Sequence, residues 1–274
     1  MSVTKVNLLI IGAARSATTS ISRILTSHPD VCFCTVKEPQ FFSKADWRDH
    51  LEDYNRLFNC DDKTFYVDGS TNYSKFPNFN RNIHQDIFEY NPDMKFIYMM
   101  RNPLDRIVSH YNFAIERGLT TAGIDEEILK NRIYTDSSKY FEQIDRYLKY
   151  FPFQRFKFIF FEDLINDPKD CIASLYDFLG IQWHDYNHKD LHSNKSNAGH
   201  IGHIKHDDPK TIPDYIKKAF HVFYRRMKPV QKATVNDLQS EVLNKLRDEL
   251  LPDIERLEGL LNRDLNSWKN SFSL

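Results

Sequence analysis

Gly12-Ala13-Ala14-Arg15-Ser16-Ala17-Thr18-Thr19 joins an apolar run, Val6–Ile11, to a helical stretch at about 18–27. A strand, a turn and a helix N-terminus in that order make an anion site. Unpaired backbone N–H groups point out of the turn, and the helix dipole favours negative charge there. Ser16, Thr18 and Thr19 add hydroxyl donors, and Arg15 adds a guanidinium fork. The chemistry is phosphate binding, but of neither common kind. A dinucleotide fingerprint needs three spaced glycines, and only Gly12 is present. A nucleotide-triphosphatase loop needs Gly-Lys where this chain has Ala17-Thr18. Taken alone, residues 12–19 also fit an ordinary strand-to-helix turn with a solvated Arg.

A second cluster lies in Lys95-Phe-Ile-Tyr-Met-Met-Arg101-Asn-Pro-Leu-Asp-Arg106-Ile-Val-Ser109-His-Tyr111. Arg101 stands at the C-terminal end of an apolar strand, where open parallel sheets bind ligands. Ser109 falls about two turns into the following helix. Together they can hold one phosphate. A salt-bridge Arg and a packing Ser are the alternative that spacing leaves open.

In these residues the chain resembles the sulfotransferases that use 3′-phosphoadenosine 5′-phosphosulfate. Arg15-Ser16-Ala17-Thr18-Thr19 matches their (K/R)-S-G-T-T loop at four of five positions, and Arg101 through Tyr111 matches their R-(N/D)-P-x-(D/E)-R-x-x-S-x-(Y/F) element. Between them, Lys37-Glu38-Pro39-Gln40-Phe41-Phe42 is similar to the K-E-P-x-F-F element of the heparan-sulfate-type glycan and bacterial branches. Phe161-Glu-Asp-Leu164 and the ending Pro252-Asp-Ile-Glu-Arg-Leu-Glu…Arg263-Asp-Leu-Asn-Ser-Trp268 resemble bacterial members, so the likeness runs over nearly the whole chain.

The resemblance implies sulfuryl transfer from that donor to a hydroxyl, less readily an amine, of an acceptor such as a carbohydrate, lipid-linked glycan or small metabolite. It assigns Glu38 as catalytic base and Arg15 as stabiliser of the leaving 5′-phosphate. Arg15, Ser16, Ala17, Thr18 and Thr19 would bind the 5′ end of the donor. Arg101 and Ser109 would bind its 3′-phosphate, and no metal is required. Lys195, in His192-Ser-Asn-Lys195, is the candidate for the late basic residue that completes the pocket. Two positions depart from the pattern. Ala17 replaces a Gly, so the loop must turn without positive φ or accept strain. Asp68-Gly-Ser-Thr-Asn-Tyr73 stands where the heparan-sulfate branch has E-K-(S/T)-P-x-Y, so that Lys is missing. A small-molecule kinase and a non-catalytic nucleotide-binding module are the alternatives. Thr18 in the Lys position disfavours the first, and Glu38 with Arg15 the second.

The elements that must position these groups read clearly. Val6–Ile11, Val31–Thr35, Phe65–Val67, Lys95–Met100 and Phe156–Phe161 are short apolar runs, several of them without in/out alternation, as strands of a parallel sheet covered on both faces should be. Helices are expected at about 80–90, 103–117, 138–150 and 168–179, and from Pro252 to about Leu261. Asn102-Pro103 with Gly118, and Asp167-Pro168 with Gly180, supply start and stop signals. The fold class is α/β: a single domain, 1–274, with a central parallel sheet flanked by helices and a P-loop-like nucleotide-binding core.

Composition sets the outer bounds. Lys plus Arg number 37 against 38 Asp plus Glu, so no global field draws the chain to nucleic acid. Apolar residues reach 41% with 21 Phe, which excludes a disordered chain. Cys32, Cys34, Cys60 and Cys171 form no C-x-x-C pair; plain packing thiols at Cys32 and Cys34, and a reducing compartment, are the reading. Asn7 and Arg15 interrupt the N-terminal apolar run, against a signal peptide, and no run approaches a transmembrane span. A cytoplasmic protein is expected. His184, His188, His192, His200, His203 and His206 lie in a polar stretch, 184–210, that reads as an acceptor-site loop rather than a metal site. Six Lys or Arg without an acid between Tyr215 and Asn236 form a solvated face or a rim for an anionic acceptor.

Overall fold

Leu8–Gly12 (β1) is buried at every position, so it can only be an inner strand. In the computed structural model, which describes residues 6–187 and 232–273, it is the middle of a five-stranded parallel sheet. Its neighbours are Phe65–Gly69 (β3) and Lys95–Met100 (β4). Val31–Phe33 (β2) and Phe156–Phe160 (β5) form the edges, giving the order β2-β3-β1-β4-β5. The chain leaves β1 toward one side for β2 and β3, then returns to the other for β4 and β5. The reversal therefore falls at β1, where such sheets bind ligands beyond the strand C-termini. The expected α/β class with a parallel central sheet is what the structure has.

The described residues gather into two compact units, 6–101 with 139–187 and 102–138 with 232–273. The first holds the sheet. Leu8, Ile10, Ile97, Met99 and Ile159 pack with Ile21, Ile24 and Leu25 of Thr18–Thr26 (α1), and with Ile172, Leu175 and Leu179 of the helix Pro168–Leu179. From the alternate positions, Phe96 meets Tyr147, Phe151 and Phe156, and Tyr98 meets Tyr140. Both faces are thus covered, which is why the strands show no polar side.

The second unit is helical. Pro103–Arg117 (α2) starts where Asn102 Oδ1 accepts the N–H groups of Leu104 and Asp105, and it ends at Gly118 in the left-handed region. The fully buried Arg106 donates from Nε to Ser138 Oγ at 2.6 Å and from Nη2 to the Tyr134 carbonyl at 2.5 Å. The last long helix runs from Ser240 to Leu261 with Pro252 inside it. Pro252 therefore does not start it as expected. Val242, Leu243, Leu246, Leu250, Ile254 and Leu257 make one unbroken buried stripe; its burial outweighs the backbone hydrogen bond that Pro removes.

One further expectation changes. Cys32 is bonded to Cys60, with Cα atoms 5.9 Å apart, and only Cys34 is a packing thiol of the expected kind. Tyr66, the β3 residue opposite Cys32, donates its hydroxyl to the Cys60 carbonyl at 3.3 Å and so holds the partner segment at the sheet edge. Cysteine usage therefore no longer argues for a reducing compartment. Among the described residues no helix is long and apolar enough to cross a membrane.

Candidate active site

The loop after β1 is shaped by close approach. Gly12 has φ +145°, and a Cβ there would lie 2.0 Å from Ser74 Oγ, so no side chain fits. Ala13 N–H donates to the Met99 carbonyl at 2.6 Å, tying the loop to β4. Arg15 and Ala17 then take φ of +74° and +65°. The question posed by the missing Gly is answered on the side of strain, since Ala17 occupies the left-handed region that L side chains disfavour. Ala17→Gly is therefore expected to stabilise the protein by about 0.5–1 kcal/mol, read as a shift of the urea midpoint with unchanged slope.

The loop has the properties of an oxyanion cradle. Ala17 gives α1 no side-chain cap, and no acidic residue stands in the first turn. Ser16 Oγ is buried and meets no hydrogen-bond partner among the described residues. Ser74 Oγ, facing Gly12, is in the same state. Buried hydroxyls are rarely left so, and both leave donor capacity open beside the loop. Arg15 is exposed, while Thr18 and Thr19 are half-buried. A phosphate-bearing donor fits this set.

The segment after β2 brings Glu38 to the same sheet edge. Phe41 and Phe42, buried, anchor it in a cluster with Trp47, Tyr54, Tyr73 and Tyr90. Phe41 stacks flat on Tyr54 with centroids 3.8 Å apart. Glu38 and Gln40 both have φ of +53°. The half-buried Glu38 accepts from Thr71 Oγ1 at Oε2, 3.1 Å away, and Oε1 has no partner among the described residues. A carboxylate with one oxygen held and the other open can accept a proton from a neighbouring hydroxyl.

Sequence reading assigned no role to Asp68, the fully buried carboxylate near the end of β3. Its Oδ2 accepts the hydroxyls of Tyr54 (2.8 Å) and Tyr73 (2.7 Å), and its Oδ1 that of Ser70 (2.7 Å). Burial pushes its pKa up to about 6; the three hydroxyls oppose that rise and the charge of Glu38 adds to it. The only sequence signal was the departure from the family pattern at Asp68–Tyr73.

Arg101 follows β4 at this edge too. Its guanidinium carbon sits 4.6 Å over the Phe161 ring, and its carbonyl accepts from Tyr140 OH at 2.8 Å. The first unit thus places the 15–19 loop, Glu38 and Arg101 after the C-terminal ends of β1, β2 and β4, with β3 between β2 and β1. Ser109 lies half-buried on α2, in the second unit. Lys195 lies outside the described residues, as do His188 to His206 and most of the 215–236 basic stretch. Of these stretches, His184 packs edge-on to His28 and Lys232 pairs with Glu116 at 3.3 Å. Among the described residues no three metal-ligating side chains converge.

Sheet order, reversal point and the loop after β1 define an α/β protein of the doubly wound class. A family model described as a sulfotransferase domain matches residues 5–257, and the chain belongs to that family. The chain is 29% identical over 190 residues to human heparan sulfate glucosamine 3-O-sulfotransferase 6, covering 64% of this chain and 52% of the relative. It is 27% identical over 185 residues to human heparan sulfate glucosamine 3-O-sulfotransferase 3B1, covering 64% and 46%. It spans about half the length of these curated relatives. Among solved structures, a sulfotransferase from Alicyclobacillus acidocaldarius shares the fold at a TM-score of 0.72. Its identity is 23%, with 97% of this chain and 100% of that one covered.

Proposed function

We propose that this protein transfers a sulfuryl group from 3′-phosphoadenosine 5′-phosphosulfate to a hydroxyl of a carbohydrate acceptor. The observation that carries the reading is the placement of a half-held carboxylate, Glu38, at the same sheet edge as the Arg15 oxyanion loop. Family membership supports the reaction class, and the names of the curated relatives support a glycan acceptor.

When bound, the donor supplies a sulfuryl group carried on a phosphate leaving group. Arg15, Ser16 Oγ, the hydroxyls of Thr18 and Thr19 and the first N–H groups of α1 would hold its 5′ end. They also counter the negative charge that grows there as transfer proceeds. Arg101 would hold the 3′-phosphate. Thr71 holds Glu38 Oε2, and Oε1 would take the proton of the acceptor hydroxyl as its oxygen bonds to sulfur and the bond from sulfur to the 5′-phosphate oxygen breaks. Arg15 and the helix N-terminus give this site fixed positive charge without a metal ion.

Calorimetric titration with adenosine 3′,5′-bisphosphate, against ADP and ATP with magnesium, tests the reading. Tight binding of the bisphosphate without magnesium, weak ADP binding, and transfer of labelled sulfate to an oligosaccharide are expected. Preference for ATP would replace the reading with a kinase, and binding of none of the three with a protein that has lost nucleotide chemistry.

A further inference from the structure

The turn that carries Glu38 is held less by its own sequence than by the segment following β3. Gln40 N–H donates to Ser70 Oγ at 2.9 Å, and Phe42 N–H to Tyr73 OH at 3.3 Å. Each of those hydroxyls donates onward to Asp68, Ser70 to Oδ1 and Tyr73 to Oδ2. A hydroxyl has one proton, so one that gives it to a carboxylate must present lone pairs elsewhere. Asp68 thereby orients both oxygens as acceptors toward the 40–42 backbone. Tyr54 gives the third bond to the same carboxylate and stacks on Phe41. Three of the next four residues after Glu38 are therefore tied to one buried group. The turn needs such restraint, because Glu38 and Gln40 both sit at positive φ, a conformation that persists only where its surroundings fix it.

We propose that Asp68 is a positioning residue for Glu38: through Ser70 and Tyr73 it fixes the backbone at Gln40 and Phe42 and so sets the direction of the Glu38 carboxylate. The assignment rests on the reading of Glu38 as the base. Asp68 itself is fully buried and bonded to three protein hydroxyls, so it acts through the turn.

A double-mutant cycle of Asp68→Asn with Glu38→Gln tests it, with hydrogen exchange of the 37–43 segment as a readout independent of turnover. Asp68→Asn is expected to lower kcat by about 10–100-fold, the effect of misplacing a reacting group by an ångström or less. Affinity for adenosine 3′,5′-bisphosphate stays at the wild-type value. Exchange in residues 37–43 quickens while the β1 and β4 segments stay protected. In the Glu38→Gln background Asp68→Asn costs nothing further, because there is no base left to aim. Ser70→Ala, which cuts one of the two links and leaves the carboxylate, reproduces part of the loss; it decides the matter if Asp68→Asn does not fold. An equal further loss in the Glu38→Gln background, unchanged exchange, or a parallel fall in bisphosphate affinity would overturn the proposal. Wild-type turnover by Glu38→Gln alone would instead remove the base assignment, while the exchange data still report whether Asp68 holds the turn.

Discussion

Glu38→Gln is expected to lower kcat by about 10²–10⁴-fold, the range that general-base catalysis supplies, and to leave affinity for adenosine 3′,5′-bisphosphate unchanged. The substitution is nearly isosteric. The amide oxygen of Gln can still accept from Thr71 Oγ1, which now reaches Glu38 Oε2 at 3.1 Å. The backbone ties at Gln40 and Phe42 do not involve the side chain. What disappears is the ability of the other oxygen to take a proton. A group that only oriented the acceptor by hydrogen bonding would survive this exchange with a small loss in KM. A base would not, and the loss would fall on kcat with the donor complex intact. Single-turnover measurements at saturating donor separate the two. Near wild-type turnover would move the proton acceptor elsewhere and leave Glu38 as a structural partner of Thr71.

The parts legible in the sequence are those whose signals are local. Start and stop residues marked Pro103–Arg117 and Pro168–Leu179 to the residue, because Asn102, Asp167, Gly118 and Gly180 act within one turn of their own position. All five strands were legible as runs without a polar face, since helices cover both sides of the sheet. Glu38 and Arg101 were legible through motif resemblance, and the structure places them in the segments that follow β2 and β4. The Asp68 network was not legible. It joins residues 38–42 to 54 and to 68–73, and the departure from the family pattern at Asp68–Tyr73 marks the place without showing that its carboxylate must find three hydroxyls. The same holds for Cys32 and Cys60, which lie 28 residues apart. Pro252 misled for the opposite reason. A strong local rule, proline at the first turn, was overridden by an apolar stripe whose burial is a property of the folded unit.

Phe42→Ala is expected to destabilise the protein by about 3–5 kcal/mol, with the urea midpoint falling at constant slope. Phe42 is fully buried and meets Trp47 at 5.4 Å, Tyr90 at 5.2 Å, Tyr73 at 5.8 Å and Tyr54 at 5.9 Å between centroids. These rings and Phe41, 5.0 Å away, make five rigid ring neighbours, and the hydroxyls of Tyr54 and Tyr73 are committed to Asp68. They cannot turn inward to fill the hole without leaving a buried carboxylate short of donors, which adds its own cost. The cavity therefore stays open, and the loss belongs at the upper part of the range for Phe truncation. Phe42→Leu keeps much of the volume and should cost less than half as much. The same ring also secures the turn that carries Glu38, four residues upstream. Below its unfolding midpoint Phe42→Ala should accordingly lose kcat while still binding adenosine 3′,5′-bisphosphate, whose proposed contacts lie on the β1 loop and Arg101. A loss of stability under about 1 kcal/mol would mean that the aromatic cluster collapses freely onto the gap. Wild-type kcat in a destabilised Phe42→Ala protein would show that Asp68 and its hydroxyls hold the turn without the ring.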